Sequence, residues 1–211
     1  MLHPIHIKNE EFLLHYTGAV YWKTQDILLV ADLHFGKITH FRKFGSAVPP
    51  QAMHRNFERL HEVVHFFKPK TICFLGDLFH SHVNNEWKLF EKWVLSASAK
   101  ILLVHGNHDI ISPIRYEKIG VGILEKLVLG PFVCTHHPEE DVDFINICGH
   151  IHPAVRLKGK GRQNLKLPCF FHSKQQLILP AFGVFTGTHM MKPSPKDRVY
   201  ALVEKKVIPV N

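Results

Sequence analysis

Three short apolar runs in the first half of this chain each stop abruptly at a cluster of acids, amides and histidines. Ile27-Leu28-Leu29-Val30 runs into Ala31-Asp32-Leu33-His34, and Thr71-Ile72-Cys73-Phe74-Leu75 into Gly76-Asp77. Ile101-Leu102-Leu103-Val104 leads to Gly106-Asn107-His108-Asp109. Unbroken apolar runs of this length read as strands buried on both faces. The stretches between them have helical spacing. Pro49 to Phe67 sets Met53, Phe57, Leu60, Val64 and Phe67 three and four residues apart, with Pro50 at its start and Pro69 beyond its end. Glu86 to Ala97 sets Trp87, Phe90, Trp93 and Val94 on one side. Strands alternating with helices imply parallel βαβ connections, and the carboxyl ends of parallel strands open on one crevice.

Other segments read as strands without helices between them. Phe12 to Tyr16 and Ala19 to Trp22 flank Thr17-Gly18. Later come Pro131 to Thr135, Phe144 to Cys148, Leu177 to Leu179 and Val199 to Val203, for which antiparallel pairing is expected. The expected fold class is α/β, a mixed sandwich in one domain covering residues 1–211. No stretch approaches the roughly 20 apolar residues of a membrane span. Met1 to His6 lacks the basic and apolar regions of a signal peptide. Cys73, Cys134 and Cys148 lie in apolar runs, and with Cys169 they form no Cys-x-x-Cys pair. Buried, reduced thiols and a cytoplasmic location are expected.

The chain carries 26 Lys and Arg against 18 Asp and Glu, a formal charge of +8. Such an excess suits a polyanionic partner. The basic residues concentrate in two loops: Gly36 to Val48, with Lys37, Arg42 and Lys43, and Arg156 to Lys166. Histidine is the unusual count, at 18.

The candidate ligands gather at strand ends. Asp32 and His34 are spaced i, i+2, and His150 and His152 repeat that spacing in Gly149-His150-Ile151-His152. In extended chain such pairs project to one side. Asp77, then Asn107 with His108, and then His136 with His137 each follow a strand candidate. Carboxylate, amide oxygen and imidazole without thiolate suit Mn²⁺, Fe²⁺ or Zn²⁺ and argue against a closed structural zinc site. The donors exceed the needs of one ion. Two ions sharing a carboxylate would use them all, orienting a phosphate and lowering the pKa of a water between them. Gly-Asn-His-Asp alone is expected by chance about 0.001 times in a chain of this composition.

In their order, Asp32-x-His34, Gly76-Asp77, Gly106-Asn107-His108-Asp109, His136 and Gly149-His150-x-His152 resemble the signature of the calcineurin-like metallophosphoesterases, over about residues 26 to 153. The resemblance implies that family's sandwich of two mixed β-sheets flanked by helices. It implies two divalent metal ions: Asp32, His34 and His152 hold the first, Asp77 bridges, and Asn107, His136 and His150 complete the second. It favours His136 over His137 as the ligand. It implies that His108 donates to the phosphate or protonates the leaving oxygen, and that Asp109 orients His108. One departure is His80, where many members carry an aspartate three places after the Gly-Asp aspartate; substrate contacts there are expected to differ.

The small size, the segment Gly36 to Pro50 with His40-Phe41-Arg42, Gly149 to Pro153 and Leu179-Pro180-Ala181-Phe182-Gly183 resemble the bacterial ligase-associated branch, predicted DNA-repair endonucleases. That resemblance implies a phosphodiesterase working by a metal-bound hydroxide, with DNA as candidate substrate and ligase or helicase partners. Lys37, Arg42 and His80 are the candidate substrate contacts, and His82 and His172 could also line the site. A phosphomonoesterase or cyclic-nucleotide hydrolase on the same metals is the alternative, and a non-catalytic binding module of the same fold stands behind it. His61-Glu62-Val63-Val64-His65 matches the H-E-x-x-H pattern of zinc proteases, but its chance expectation is about 0.08. Its helix joins two strands of the proposed sheet, which sets both histidines far from the crevice.

Overall fold

The computed structural model describes residues 2–37, 52–80, 83–140, 143–158 and 164–210. Arg42, Lys43, His40, His82 and most of the two basic loops lie outside them, so the expectations placed on those residues have no structural counterpart here.

The first sheet has seven strands in chain order: β1 (His3–Ile7), β2 (Glu10–Leu14), β3 (Val20–Trp22), β4 (Ile27–Val30), β5 (Thr71–Leu75), β6 (Lys100–Val104) and β7 (Val121–Leu124). β1 to β4 pair antiparallel; β4 to β7 pair parallel. The parallel steps are crossed by helices α1 (Ala52–Phe67), α2 (Asn85–Ser96) and α3 (Pro113–Lys118). α1 stops at Lys68, whose φ of 48° is left-handed, just before Pro69. α2 begins at Asn84, whose side chain accepts from the Glu86 amide at 2.8 Å. β1, β7 and α3 are elements the sequence reading did not anticipate.

The second sheet runs β14-β11-β12-β13-β10-β9-β8, with β15 against β12 and β16 against β15. Its strands are β8 (Leu127–Leu129), β9 (Phe132–Thr135), β10 (Ile145–Cys148), β11 (Pro153–Lys158), β12 (Asn164–His172), β13 (Gln176–Ile178), β14 (His189–Met190), β15 (Arg198–Val203) and β16 (Lys206–Pro209). The expectation of antiparallel pairing fails at its centre: β10 is parallel to both β9 and β13. The crossing from β9 to β10 has no helix among its described residues, so the usual sequence mark of a parallel step is missing.

Alternation along the strands sorts the core into layers. Leu29, Cys73, Leu75, Leu102 and Val104 face the sandwich interior, against Phe132, Cys134, Ile145, Ile147 and Leu177 of the second sheet. Their neighbours Leu28, Val30, Ile72, Phe74 and Leu103 face the helices, where Leu60, Val63, Phe90 and Tyr116 cover them. All four cysteines are buried and unpaired. The registers bring the carboxyl ends of both parallel sets together. Val30 lies beside Phe74 and Leu75 beside Val104 in one sheet, and Cys148 lies beside Thr135 and Ile178 in the other.

Candidate metal centre

Beyond β4 the chain stays tied to its neighbour. The amides of Asp32, His34 and Phe35 donate to the carbonyls of Gly76, Asp77 and Leu78 at 3.3, 2.9 and 2.8 Å. These turns are not extended chain, as the i, i+2 argument assumed. Asp32, His34, Asp77, His150 and His152 have φ of 53°, 50°, 51°, 66° and 52°. The side chains converge through five left-handed backbone positions, a conformation that L-residues adopt only where surrounding contacts hold it.

Those contacts are visible. Asp32 Oδ2 accepts from the His150 amide at 2.8 Å and Asp77 Oδ1 from the His108 amide at 2.9 Å. Gly149 and Gly76 leave the space these side chains fill. A Cβ on Gly149 would strike Asp32 Oδ2, and one on Gly76 would strike the His136 ring. On the other side, Phe182 and Gly183 donate to the carbonyls of Ala31 and Asp32 at 2.9 and 3.1 Å.

Asp77 stands in the middle. Its Oδ2 is 3.7 Å from His34 Nε2 and its Oδ1 is 3.4 Å from His136 Nε2. On the first side, His152 Nε2 lies 3.3 Å from Asp32 Oδ1. On the second, His136 Nε2 lies 2.9 Å from Asn107 Oδ1 and 3.2 Å from His150 Nδ1. His136 donates from Nδ1 to the Leu75 carbonyl at 2.9 Å, which leaves the Nε2 lone pair facing Asp77. Asp32, His34 and His152 form one set of donors within 4.8 Å of one another, and Asp32, Asp77 and His136 another. The structure thus brings Asp32, His34, Asp77, Asn107, His136, His150 and His152 to one mouth.

The residues fit a cation. Asp32 Oδ1, His34 Nε2 and His152 Nε2 are buried and make no hydrogen bond. Desolvated acceptors of this kind are costly unless something positive meets them. Burial, aided by the charge of Lys37 and the neighbouring histidines, drives the His34 imidazole down to about 2, so it stays neutral with a lone pair to give. Burial also lowers His150, and then His137 and His136 add to it. Lys37 is half-buried at the same mouth. Burial lowers its ammonium, against the opposing pull of Asp77 and Asp32.

The His108 ring stands nearly perpendicular to that of His34, centroids 5.5 Å apart, and its centroid lies 5.0 Å from that of His80, so both line the mouth. Asp109 departs from its expected place. Its Oδ2 accepts from the amides of Asp77 and Gly106, both at 2.9 Å, and its Oδ1 from Leu78 at 2.9 Å and Phe79 at 3.3 Å. Burial pushes this carboxyl up to about 6, against the pull of those amides. Asp109 therefore clamps the Gly76-Asp77 turn; its carboxylate is spent on backbone amides and not on the His108 ring.

His172 pairs with Leu177, at the end of the sheet away from the mouth, and lines a separate cleft with His6, Lys174 and Arg198. His61 and His65 are exposed on α1, beside a cavity of about 360 Å³ shared with Lys68 and Trp93. Glu62 accepts from the Tyr16 hydroxyl. Sequence reasoning missed Asn56. This buried residue donates from Nδ2 to the Leu33 carbonyl at 3.2 Å and accepts the Val184 amide at 3.1 Å. Its signal was available: a polar side chain four residues before Leu60 on the apolar face of a helix.

The model of the calcineurin-like phosphoesterase family matches residues 26–153. No curated protein matches the chain. Among solved structures, a nuclease MPE of Pseudomonas putida is 26% identical over 100% of both chains, with a TM-score of 0.81. A protein of unknown function from Aquifex aeolicus is 16% identical, covering 64% of this chain and 82% of that one, with a TM-score of 0.44. A predicted phosphoesterase from Streptococcus pneumoniae is 16% identical, covering 84% and 83%, with a TM-score of 0.32.

Proposed function

The chain belongs to the calcineurin-like phosphoesterase family of metal-dependent phosphoester hydrolases, and on that premise we propose that it is a two-metal phosphodiesterase acting on nucleic acid. The observation that carries the reading is Asp77, whose two carboxylate oxygens face imidazoles on opposite sides. In this reading Asp32, His34 and His152 hold one cation and Asn107, His136 and His150 the other, with Asp77 shared. The donors suit Mn²⁺, Fe²⁺ or Zn²⁺. When bound, such a pair polarises a phosphate and makes a water acidic enough to attack near neutral pH.

The chain's own groups do the rest. His136 is locked in one tautomer by Leu75. His108 and Lys37 reach the mouth from opposite turns, the first to protonate the leaving oxygen and the second to receive a phosphate oxygen. Nucleic acid as substrate is supported by the Pseudomonas putida relative, a nuclease. It is also supported by the hairpin that leaves the centre at Pro153, where Arg156 and Lys166 sit directly opposite across β11 and β12. Both are exposed, with Lys166 donating to the Thr188 carbonyl at 3.2 Å, and two like charges so placed attract an anion. A role in DNA repair and ligase or helicase partners belong to the same proposal and rest on the resemblance of the segments at 36–50, 149–153 and 179–183, and a cytoplasmic setting rests on the four buried, unpaired cysteines.

The test is metal analysis together with hydrolysis of an aryl phosphodiester, an aryl phosphomonoester and DNA in Mn²⁺. Asp77→Ala should lose metal and activity. His108→Ala should keep metal and slow diester turnover by about 10²–10⁴-fold. Turnover of the monoester alone would refute the diesterase reading. Parent-rate diester cleavage by His108→Ala would refute the role given to that residue.

A further inference from the structure

Two consecutive histidines follow β9, and the proposed function uses only the first. The second, His137, is exposed, yet its ring lies 4.1 Å from that of His150 and 4.7 Å from that of His136. Each of the three offers one ligating atom to a set whose members all lie within 4.8 Å of one another. The nitrogens already crowd: His150 Nδ1 stands 3.2 Å from His136 Nε2, which carries a lone pair because Nδ1 is donating to Leu75. Three imidazoles closing on one point satisfy each other poorly and a cation well.

The backbone around His137 is fixed. Thr135 Oγ1 donates to the His137 carbonyl at 2.6 Å and accepts from Asn146 Nδ2 at 2.7 Å. Asn146 Oδ1 takes the Glu139 amide at 3.0 Å, and the His136 carbonyl takes the Gly149 amide at 3.2 Å. Both flanks of the residue are therefore pinned to β10 or its end, and the ring is left to turn about its own side-chain bonds.

We propose that His137 is a third imidazole ligand at the second cation position, closing over it from the solvent side with His136 and His150. The inference rests on the two-cation reading and adds a preference to it. Asn107, Asp77 and two imidazoles accept Mn²⁺ readily. A third imidazole shifts the position toward nitrogen-preferring ions late in the first-row series, Zn²⁺ above all. The other position, built on Asp32, His34, His152 and the shared Asp77, gains nothing from it.

The test is a titration of the chelator-stripped, full-length protein with Zn²⁺ and with Mn²⁺, following both affinity and stoichiometry. His137→Ala is compared with the parent, and His61→Ala serves as control for an exposed histidine elsewhere. His137→Ala should weaken one of the two Zn²⁺ sites by about tenfold or more and change Mn²⁺ affinity by less than about threefold. It should also alter the visible spectrum of the Co²⁺-loaded protein, which reads the donor set directly. The exposed ring predicts no loss of stability in the metal-free variant, so misfolding does not confuse the result. Two Zn²⁺ bound by His137→Ala with parental affinity would overturn the inference and leave the two-cation reading intact. A parent that binds fewer than two ions would end both.

Discussion

Asn56→Leu should loosen the centre without touching a candidate ligand. Leucine keeps the branching of asparagine with none of its polar atoms and somewhat more bulk, so the change deletes two hydrogen bonds and crowds the site slightly. The Leu33 carbonyl loses its donor at 3.2 Å and the Val184 amide its acceptor at 3.1 Å. Each buried polar group left unpaired costs about 1–3 kcal/mol, so about 2–6 kcal/mol for the two. Burying an apolar side chain returns about 1.5–3 kcal/mol, and the extra bulk costs about 1 kcal/mol or more. A net loss of about 3 kcal/mol corresponds to a fall in Tm of about 6–12 °C for a chain of this size. The loss is local, because Leu33 lies between Asp32 and His34 and the segment at Val184 follows the two amides that hold the same turn. If half of it falls on that turn, Mn²⁺ affinity drops by about tenfold. Urea unfolding of the metal-free protein and a Mn²⁺ titration measure the two parts. Asn56→Asp sharpens the test: it keeps the acceptor for Val184 but turns a carboxylate oxygen toward the Leu33 carbonyl, and should do at least as much damage. Unfolding within about 0.5 kcal/mol of the parent, with unchanged Mn²⁺ affinity, would refute the reasoning.

Gly149→Ala drives a Cβ into Asp32 Oδ2 and onto the Ala31 methyl, so it should cost about 1–3 kcal/mol of stability and most Mn²⁺ binding; the check is the same pair of measurements. His15 is buried, accepts hydrogen bonds at Nδ1 and packs against Tyr16 and Phe66, and burial, with Arg59 adding to it, holds its imidazole down to about 4. The folded chain therefore refuses a proton that the unfolded chain accepts, so stability should be lost as pH falls from about 6.5 toward 4, by up to about 3 kcal/mol. Urea unfolding at several pH values should show a shallower slope for His15→Gln than for the parent. Replacing His61 and His65 together with alanine should leave diesterase activity within about twofold, because both lie on the outer side of α1; a lost activity would return the H-E-x-x-H motif to the argument.

The candidate donors were legible because each must stand where a buried strand ends, and an apolar run that breaks at Asp, Asn or His is a sharp signal. What the sequence did not carry is the backbone that aims them. Asp and His enter the left-handed region more readily than most side chains, but the residue types of Asp32, His34, Asp77, His150 and His152 do not by themselves specify it, and an extended chain was the natural assumption. The cost, about 1 kcal/mol or more at each position, is offset by contacts between segments far apart in sequence. His34 leans on Asp77, His150 on Asp32 and His108 on Asp77. The aspartates thus shape the backbone as well as offering oxygens to a cation. Asp109 extends the same logic. Gly-Asn-His-Asp marks it as important, but a linear motif cannot say whether a carboxylate faces a ring or a row of amides, and here it faces four amides. The parallel step from β9 to β10 was hidden for a related reason. No helix among its described residues betrays it, and the connection that stands in a helix's place carries His136 and His137. A helix starting there would take its first carbonyls into its own ladder of hydrogen bonds. A loop leaves the His136 carbonyl to Gly149 and the His137 carbonyl to Thr135, and those bonds bring two imidazoles to the mouth side by side.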